Sequence, residues 1–283
     1  MASILLAGGG SAGHVNPMLA TGLELRERGQ RNAAVGTEEG LEADLVPRAG
    51  VEMHVVPRVP MPRRPSGDLV RLPGNLNAAV KAARAAIDQV GADAVVGFGG
   101  FVSTPAYLAA KKAGIPIVVH EANARPGLAN KVGARWAARV GATLPGTPLK
   151  GAQVTGMPLL PHVRELAESL GDDRVASALR AAAREELGWP ADAPVLVVTG
   201  GSQGAASLNA ATAAAAATLV DHGVYVWHIT GRGKSAEADR AKGDLAADKR
   251  DMYRVDEYCH DMSAVYSAAG AVVCRAGAGM VAE

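Results

Sequence analysis

The 283 residues carry 29 Lys plus Arg against 28 Asp plus Glu, and 48% of them are hydrophobic but only 4% aromatic. That length exceeds one ordinary domain and the apolar share suffices for two packed cores, which excludes wholesale disorder; 34 Gly and 16 Pro without a three- or seven-residue period exclude collagen and coiled coil. A net charge of +1, with two Phe, three Trp and five Tyr, speaks against nucleic acid as a partner, which calls for basic excess and stacking rings.

Short apolar or β-branched runs alternate with helical stretches, the pattern of parallel strands joined by crossover helices. Strands are predicted at 3–7, 32–35, 52–56, 94–97, 116–120, 139–143 and 153–155. The first helix is punctuated by Asn16 as cap, Pro17 at the first helical position and Gly29 at the far end. Further helices fit 74–90, 104–113 and 128–137. Around 156–173 the alternation pauses and a long helical region follows, in which Gly171-Asp172-Asp173 supplies a break and a fresh cap, and Val175, Leu179, Ala183 and Leu187 form an i, i+4 stripe. The pattern restarts with strands at 194–199, 224–230, 252–255 and 271–274, which marks a second α/β unit.

Charge divides at the same place. Residues 1–160 hold 17 basic and 11 acidic side chains, net +6, and residues 161–283 hold 12 and 17, net −5. Cys259 and Cys274 form neither a disulfide framework nor a zinc spacing, which fits a reducing compartment. The apolar run at 4–7 is too short for a signal-peptide core, and no stretch approaches bilayer-spanning length. Glu283 follows the last strand before a crossover helix could form, so a truncated second domain is expected.

The chemistry-bearing residues gather after strands. Gly8-Gly9-Gly10-Ser11-Ala12-Gly13 satisfies G-x-G-x-x-G between a strand and a helix, where unpaired N–H groups favour a phosphate. Glu38 lies where a dinucleotide site would want a ribose carboxylate. His14, directly after the glycines, is a candidate proton acceptor at the carboxyl edge of the sheet. Gly97-Phe98-Gly99-Gly100-Phe101 and His120-Glu121-Ala122-Asn123 reach the same edge, and Thr199-Gly200-Gly201-Ser202-Gln203-Gly204-Ala205 repeats the glycine turn in the second half. Two such turns imply two nucleotide-type folds facing across a cleft. Residues 57–76, with five Pro and four Arg among apolar side chains, read as a loop able to meet anionic headgroups or as a solvated loop.

These motifs, with Glu257-Tyr258, Asp261-Met262 and Arg275-x-Gly277-Ala278 to Glu283, stand in the order of the MurG family of N-acetylglucosaminyltransferases, within glycosyltransferase family 28, which the chain resembles throughout. The resemblance implies a GT-B fold of two Rossmann-like doubly wound α/β domains, an acceptor and membrane-side domain at 1–160 and a UDP-sugar domain at 161–283. It implies no metal or other cofactor, and a peripheral place on the cytoplasmic face of the membrane. The activity implied is inverting transfer from UDP-N-acetylglucosamine to the 4-hydroxyl of undecaprenyl-diphosphate-linked MurNAc-pentapeptide. His14 would be the base, with Glu121 second. Gly201, Ser202, Gln203, Cys259 and Glu283 would meet the donor, and Gly10, Ser11, Gly13, Gly99, Gly100 and Asn123 the acceptor.

One departure stands out. The family's Gly-Asn-Pro-Val-Arg is Gly156-Met157-Pro158-Leu159-Leu160 here, without the cation, and Arg164 one turn on is the candidate substitute. The missing Arg keeps a UDP-sugar epimerase or an inactive UDP-sugar binder as an alternative. Glu38 keeps a nicotinamide or flavin enzyme as another.

Overall fold

In the computed structural model, which describes residues 1–59 and 68–283, the chain divides into two compact units, residues 1–160 and 161–281. The first contains β1 (Ser3–Gly8), β2 (Arg31–Gly36), β3 (Glu52–Val55), β4 (Ala94–Gly99), β5 (Ile117–Glu121), β6 (Arg139–Ala142) and β7 (Ala152–Val154). Their order is β3-β2-β1-β4-β5-β6-β7, and every pairing is parallel.

Successive side chains of a strand point to opposite faces, and the core follows that rule. Leu5 and Ala7 join Val35, Val95 and Val119 beneath α3 (Asp68–Val90) and α4 (Ser103–Ala113), whereas Leu6 and Ala34 join Val15 and Met18 of α1 (Ala12–Glu27) and Val46 of α2 (Glu42–Arg48). Burying each large apolar side chain contributes about 1.5–3 kcal/mol. Burial on both faces is why these strands read as near-continuous apolar runs.

The second unit holds α6 (Pro161–Ser169), α7 (Asp173–Glu186), β8 (Val195–Thr199), α8 (Ala206–Asp221), β9 (Tyr225–Ile229), α9 (Ala236–Asp244), β10 (Tyr253–Asp256), α10 (Met262–Ala268), β11 (Ala271–Cys274) and α11 (Ala278–Ala282). Its parallel sheet runs β10-β9-β8-β11. Val195, Val197, Trp227 and Ile229 pack with Val265 and Ala268 on one face; Val198 and Val226 pack with Ala216, Val220 and Ala238 on the other.

The predicted strands form within a residue or two of their expected ends, and Asp172 caps α7 by accepting the N–H groups of Arg174 at 2.8 Å and Val175 at 3.3 Å. Helix ends differ more. α1 begins at Ala12, not Pro17, because Ser11 is extended (φ −150°, ψ 156°) and its carbonyl already accepts from His14 and Val15. Asn16 and Pro17 are therefore interior, and Pro17 has no N–H to offer the Gly13 carbonyl. α3 begins at Asp68 rather than residue 74, so the segment expected to be a loop to residue 76 is partly helical, and its residues 60–67 lie outside the described residues. Between α4 and β6, α5 (Leu128–Gly133) ends before residue 137. In α7, Val175 of the predicted stripe is exposed; Ala176 and Arg184 are the buried positions, the Arg184 guanidinium donating to the carbonyls of Ala268 and Ala191, both at 3.0 Å.

Candidate functional site

A sheet ordered β3-β2-β1-β4-β5-β6-β7 reverses its winding between β1 and β4, and the loops leaving the carboxyl ends of those strands part there. The glycine turns meet at that point. The Gly9 N–H donates to the Gly99 carbonyl at 3.4 Å. Gly100 has φ +84°, and a Cβ there would lie 2.2 Å from the Gly9 oxygen; Gly99 has φ +101°, and a Cβ there would lie 2.9–3.0 Å from the edge of the His14 ring. Only glycine permits these backbone paths and approaches.

His14 sits in the first turn of α1, not ahead of it, and is half-buried. Its Nδ1 lies 3.1 Å from the Gly9 carbonyl and 3.2 Å from the Ser11 hydroxyl. A carbonyl can only accept, so we assign the proton to Nδ1 and the lone pair to Nε2, which faces Gly99. Burial is the main influence on the ring and pulls its pKa below the usual 6.5, against the Gly9 hydrogen bond and the carboxylates of Glu121 and Glu42. The neutral, proton-accepting form is thus the one present at neutral pH.

Glu42 was not singled out in the sequence. It is the first residue of α2 and 1% exposed; its Oε2 accepts the Gly10 N–H at 2.8 Å and its Oε1 accepts from the Thr37 N–H at 3.1 Å and hydroxyl at 2.8 Å. The Gly10 amide, expected to meet an acceptor diphosphate, is turned to this internal carboxylate instead. A dinucleotide's phosphates there would face a like charge, and Glu38, the expected ribose partner, is exposed. The glycine turn therefore gives the dinucleotide reading no support. Gly13, by contrast, has open space beside its Cα, the nearest atom to a Cβ being the Ser11 hydroxyl at 3.9 Å.

Glu121 is 2% exposed and saturated: Oε1 accepts from the Asn123 N–H at 2.8 Å and Nδ2 at 3.0 Å, and Oε2 from the Gly127 N–H and the Asn130 Nδ2, both at 3.0 Å. Asn130 also donates to the His120 carbonyl at 3.0 Å and accepts from the buried Tyr107 hydroxyl at 2.8 Å. Both carboxylate oxygens are thus engaged by four donors from the loop that carries the exposed Asn123, so Glu121 ties that loop to the end of β5. His120 is likewise turned inward, its Nε2 donating to the Gly156 carbonyl at 3.0 Å. Leu160, where the resembled family carries Arg, packs against the cluster of Leu6, Met18 and Phe98.

In the second unit the winding reverses between β8 and β11. The turn before α8 is tight: the Gly201 N–H donates to the Thr199 hydroxyl at 3.1 Å and the Gly204 N–H to the Gly201 carbonyl at 2.8 Å. A Cβ at Gly204 (φ +64°) would lie 2.1 Å from the Thr230 oxygen. Ser202 and Gln203 lie in this turn, ahead of the helix that starts at Ala206 rather than at its first amides. Two cations touch it, Arg275 donating to the Gly200 carbonyl at 3.0 Å and Lys234 to the Gln203 carbonyl at 2.5 Å, while Arg232 lies 4.7 Å from the centre of the Tyr258 ring. Lys234 and Arg232 have no sequence motif to announce them. The Cys259 thiol donates to the Asp261 carbonyl at 3.2 Å, and burial pushes its pKa up. Glu283 accepts from the Tyr266 hydroxyl at 2.9 Å, and Arg164 is exposed on α6. Among the described residues no cluster of His, Cys, Asp and Glu is arranged to hold a metal ion, and no helix is long and apolar enough to cross a membrane.

Comparison with known proteins adds a second kind of observation. The model of the glycosyltransferase family 28 N-terminal domain matches residues 4–142, and that of the family 28 C-terminal domain matches residues 195–283. A UDP-N-acetylglucosamine–N-acetylmuramyl-(pentapeptide) pyrophosphoryl-undecaprenol N-acetylglucosamine transferase from Paenarthrobacter aurescens is 49% identical over 99% of this chain and 73% of its own length. The protein of the same name from a Nocardioides species is 48% identical over 99% and 74%. Among solved structures, Acinetobacter baumannii MurG aligns with TM-score 0.64 and 26% identity over 99% of this chain and 75% of that one. The UDP-GlcNAc 2-epimerase of Neisseria meningitidis, bound to UDP-GlcNAc, aligns with TM-score 0.62 over 99% and 78%, at 14% identity, a likeness of fold alone.

Proposed function

The chain belongs to glycosyltransferase family 28, and from that premise we propose that it transfers N-acetylglucosamine from UDP-N-acetylglucosamine to undecaprenyl-diphosphate-linked MurNAc-pentapeptide, the step from lipid I to lipid II in peptidoglycan synthesis. The observation that carries the chemistry is the His14 ring, fixed by the Gly9 carbonyl with Nε2 beside the Gly99 Cα. The acceptor's 4-hydroxyl oxygen bonds to the anomeric carbon as the bond from that carbon to the UDP oxygen breaks. Nε2 takes the hydroxyl proton, and UDP departs with the bonding pair.

The acceptor sugar lies against Ser11, Gly13, Gly99, Gly100 and Asn123, with Glu121 holding Asn123 in place. The donor lies on the second unit at Gly201, Ser202, Gln203, Cys259 and Glu283. There Lys234, Arg232 and Arg275 supply the positive field that a leaving diphosphate needs, and Arg164 is the nearest cation in sequence to Leu160. The chain works from the cytoplasmic face of the membrane, where the net charge of +6 on residues 1–160 favours an anionic surface.

Titration with UDP-N-acetylglucosamine and, separately, NAD tests the reading, followed by transfer to the lipid-linked acceptor. UDP-sugar binding with transfer is expected. NAD binding without UDP-sugar binding overturns it. Leu160 favours a second reading, a UDP-sugar binder without transferase activity, which binding without transfer would support.

A further inference from the structure

The Gly9 carbonyl that holds His14 and the Gly10 N–H that meets Glu42 belong to one peptide group. A planar amide couples its two ends: an acceptor on the N–H pushes electron density to the oxygen and strengthens whatever that oxygen accepts. The line of contacts runs from Glu42 Oε2 to the Gly10 N–H at 2.8 Å, and from the Gly9 carbonyl to His14 Nδ1 at 3.1 Å. We propose that Glu42 is a positioning residue for the transfer, acting through the Gly9–Gly10 peptide to hold His14 in the Nδ1–H tautomer and to support the proton that Nε2 receives.

The surroundings suit that task. A Cβ at Gly9 or Gly40 would lie 2.7 or 2.1 Å from Glu42 Oε1, and one at Gly36 would lie 2.7 Å from its Cγ, so glycines line the slot that brings the carboxylate in. Thr37 fixes Oε1 with two donors, leaving Oε2 for the Gly10 N–H. The charged groups that bear on the imidazole are Glu42 from α2 and Glu121 from the end of β5, with the Ser11 hydroxyl beside Nδ1. Glu121 divides its charge among four donors, whereas Glu42 is wired to the ring's own acceptor. The inference rests on His14 being the proton acceptor.

The test is the titration of the His14 ring in the full chain, followed by ¹⁵N shifts of labelled histidine, with His14→Ala to assign the signal. In Glu42→Gln the midpoint should fall by about half a unit to one unit and the Nδ1–H tautomer should lose population. In Thr37→Val, which keeps the carboxylate but removes a donor from it, the midpoint should rise, so the second variant decides the matter even if the first does not fold. Structural damage alone would move both variants the same way. A folded Glu42→Gln with an unmoved midpoint overturns the proposal, as does a downward shift in Thr37→Val. If both titrate as expected while the acid limb of kcat/KM stays put, the relay stands and the assignment of His14 as base fails.

Discussion

Glu121→Gln separates a scaffold from a base. Each Glu121 oxygen accepts two donors, at 2.8–3.0 Å. Glutamine keeps the shape but replaces one oxygen with an NH2 group, so two donors lose their acceptor whichever way the amide turns. Asn130 cannot flip to compensate, because its Oδ1 receives the Tyr107 hydroxyl and its Nδ2 also serves the His120 carbonyl. The amide does best with its NH2 toward Asn123, whose exposed side chain can rotate to accept, which leaves mainly the Asn123 N–H unsatisfied at a cost of about 1–3 kcal/mol. That is a measurable share of the roughly 5–15 kcal/mol by which domains are stable. Hydrogen exchange on peptides spanning β5 and residues 121–130 of the full chain reads this loss in the first unit directly. Protection should fall there, with turnover falling as the loop loosens. Wild-type protection together with a 10²–10⁴-fold loss of transfer, about the size of a missing base, would refute the scaffold assignment.

Three further outcomes are expected. His14→Gln should lower turnover about 10²–10⁴-fold while UDP-N-acetylglucosamine affinity stays within about twofold; because burial lowers the ring's pKa, the acid limb of the wild-type kcat/KM profile should lie below about pH 6.5, and a limb above pH 7 would count against this. His228, fully buried between the Tyr253 hydroxyl at 2.8 Å and the Asn209 Oδ1 at 3.2 Å, is pushed down to about 4 by burial. The unfolded chain protonates it first, so stability present above about pH 6.5 is lost as pH falls toward 4, by up to about 3 kcal/mol; urea midpoints read by Trp227 fluorescence should fall between pH 7 and 5, and less steeply in His228→Gln. Gly100→Ala should cost at least about 2 kcal/mol, from positive φ plus overlap with the Gly9 carbonyl, whereas Gly29→Ala, at φ +70° in open space, should cost only about 1–2 kcal/mol; equal melting shifts would contradict the packing of the two glycine turns.

The strands were legible because a strand buried on both faces writes itself as a local apolar run, and each glycine turn was legible because it directly follows such a run. The start of α1 was not. Asn16-Pro17 is the local cap signal, yet the helix begins five residues earlier, with Ser11 extended and its carbonyl accepting from His14 and Val15. His14, a residue any reading of the turn would notice, thereby moved from ahead of the helix into its first turn.

Sequence alone determined the α/β class, the two-unit division and the glycine turns with their histidine, since each rests on patterns spanning a few neighbouring residues. Tertiary structure decided what each polar group faces. Glu42 meets Gly10 across 32 positions, and Tyr107 meets Asn130 across 23. No local pattern records such pairings, because hydrogen bonds are short and depend on which loops the sheet's crossovers bring together. That is why the four donors around Glu121 and the Gly9–Gly10 peptide between Glu42 and His14 appear only in the folded chain.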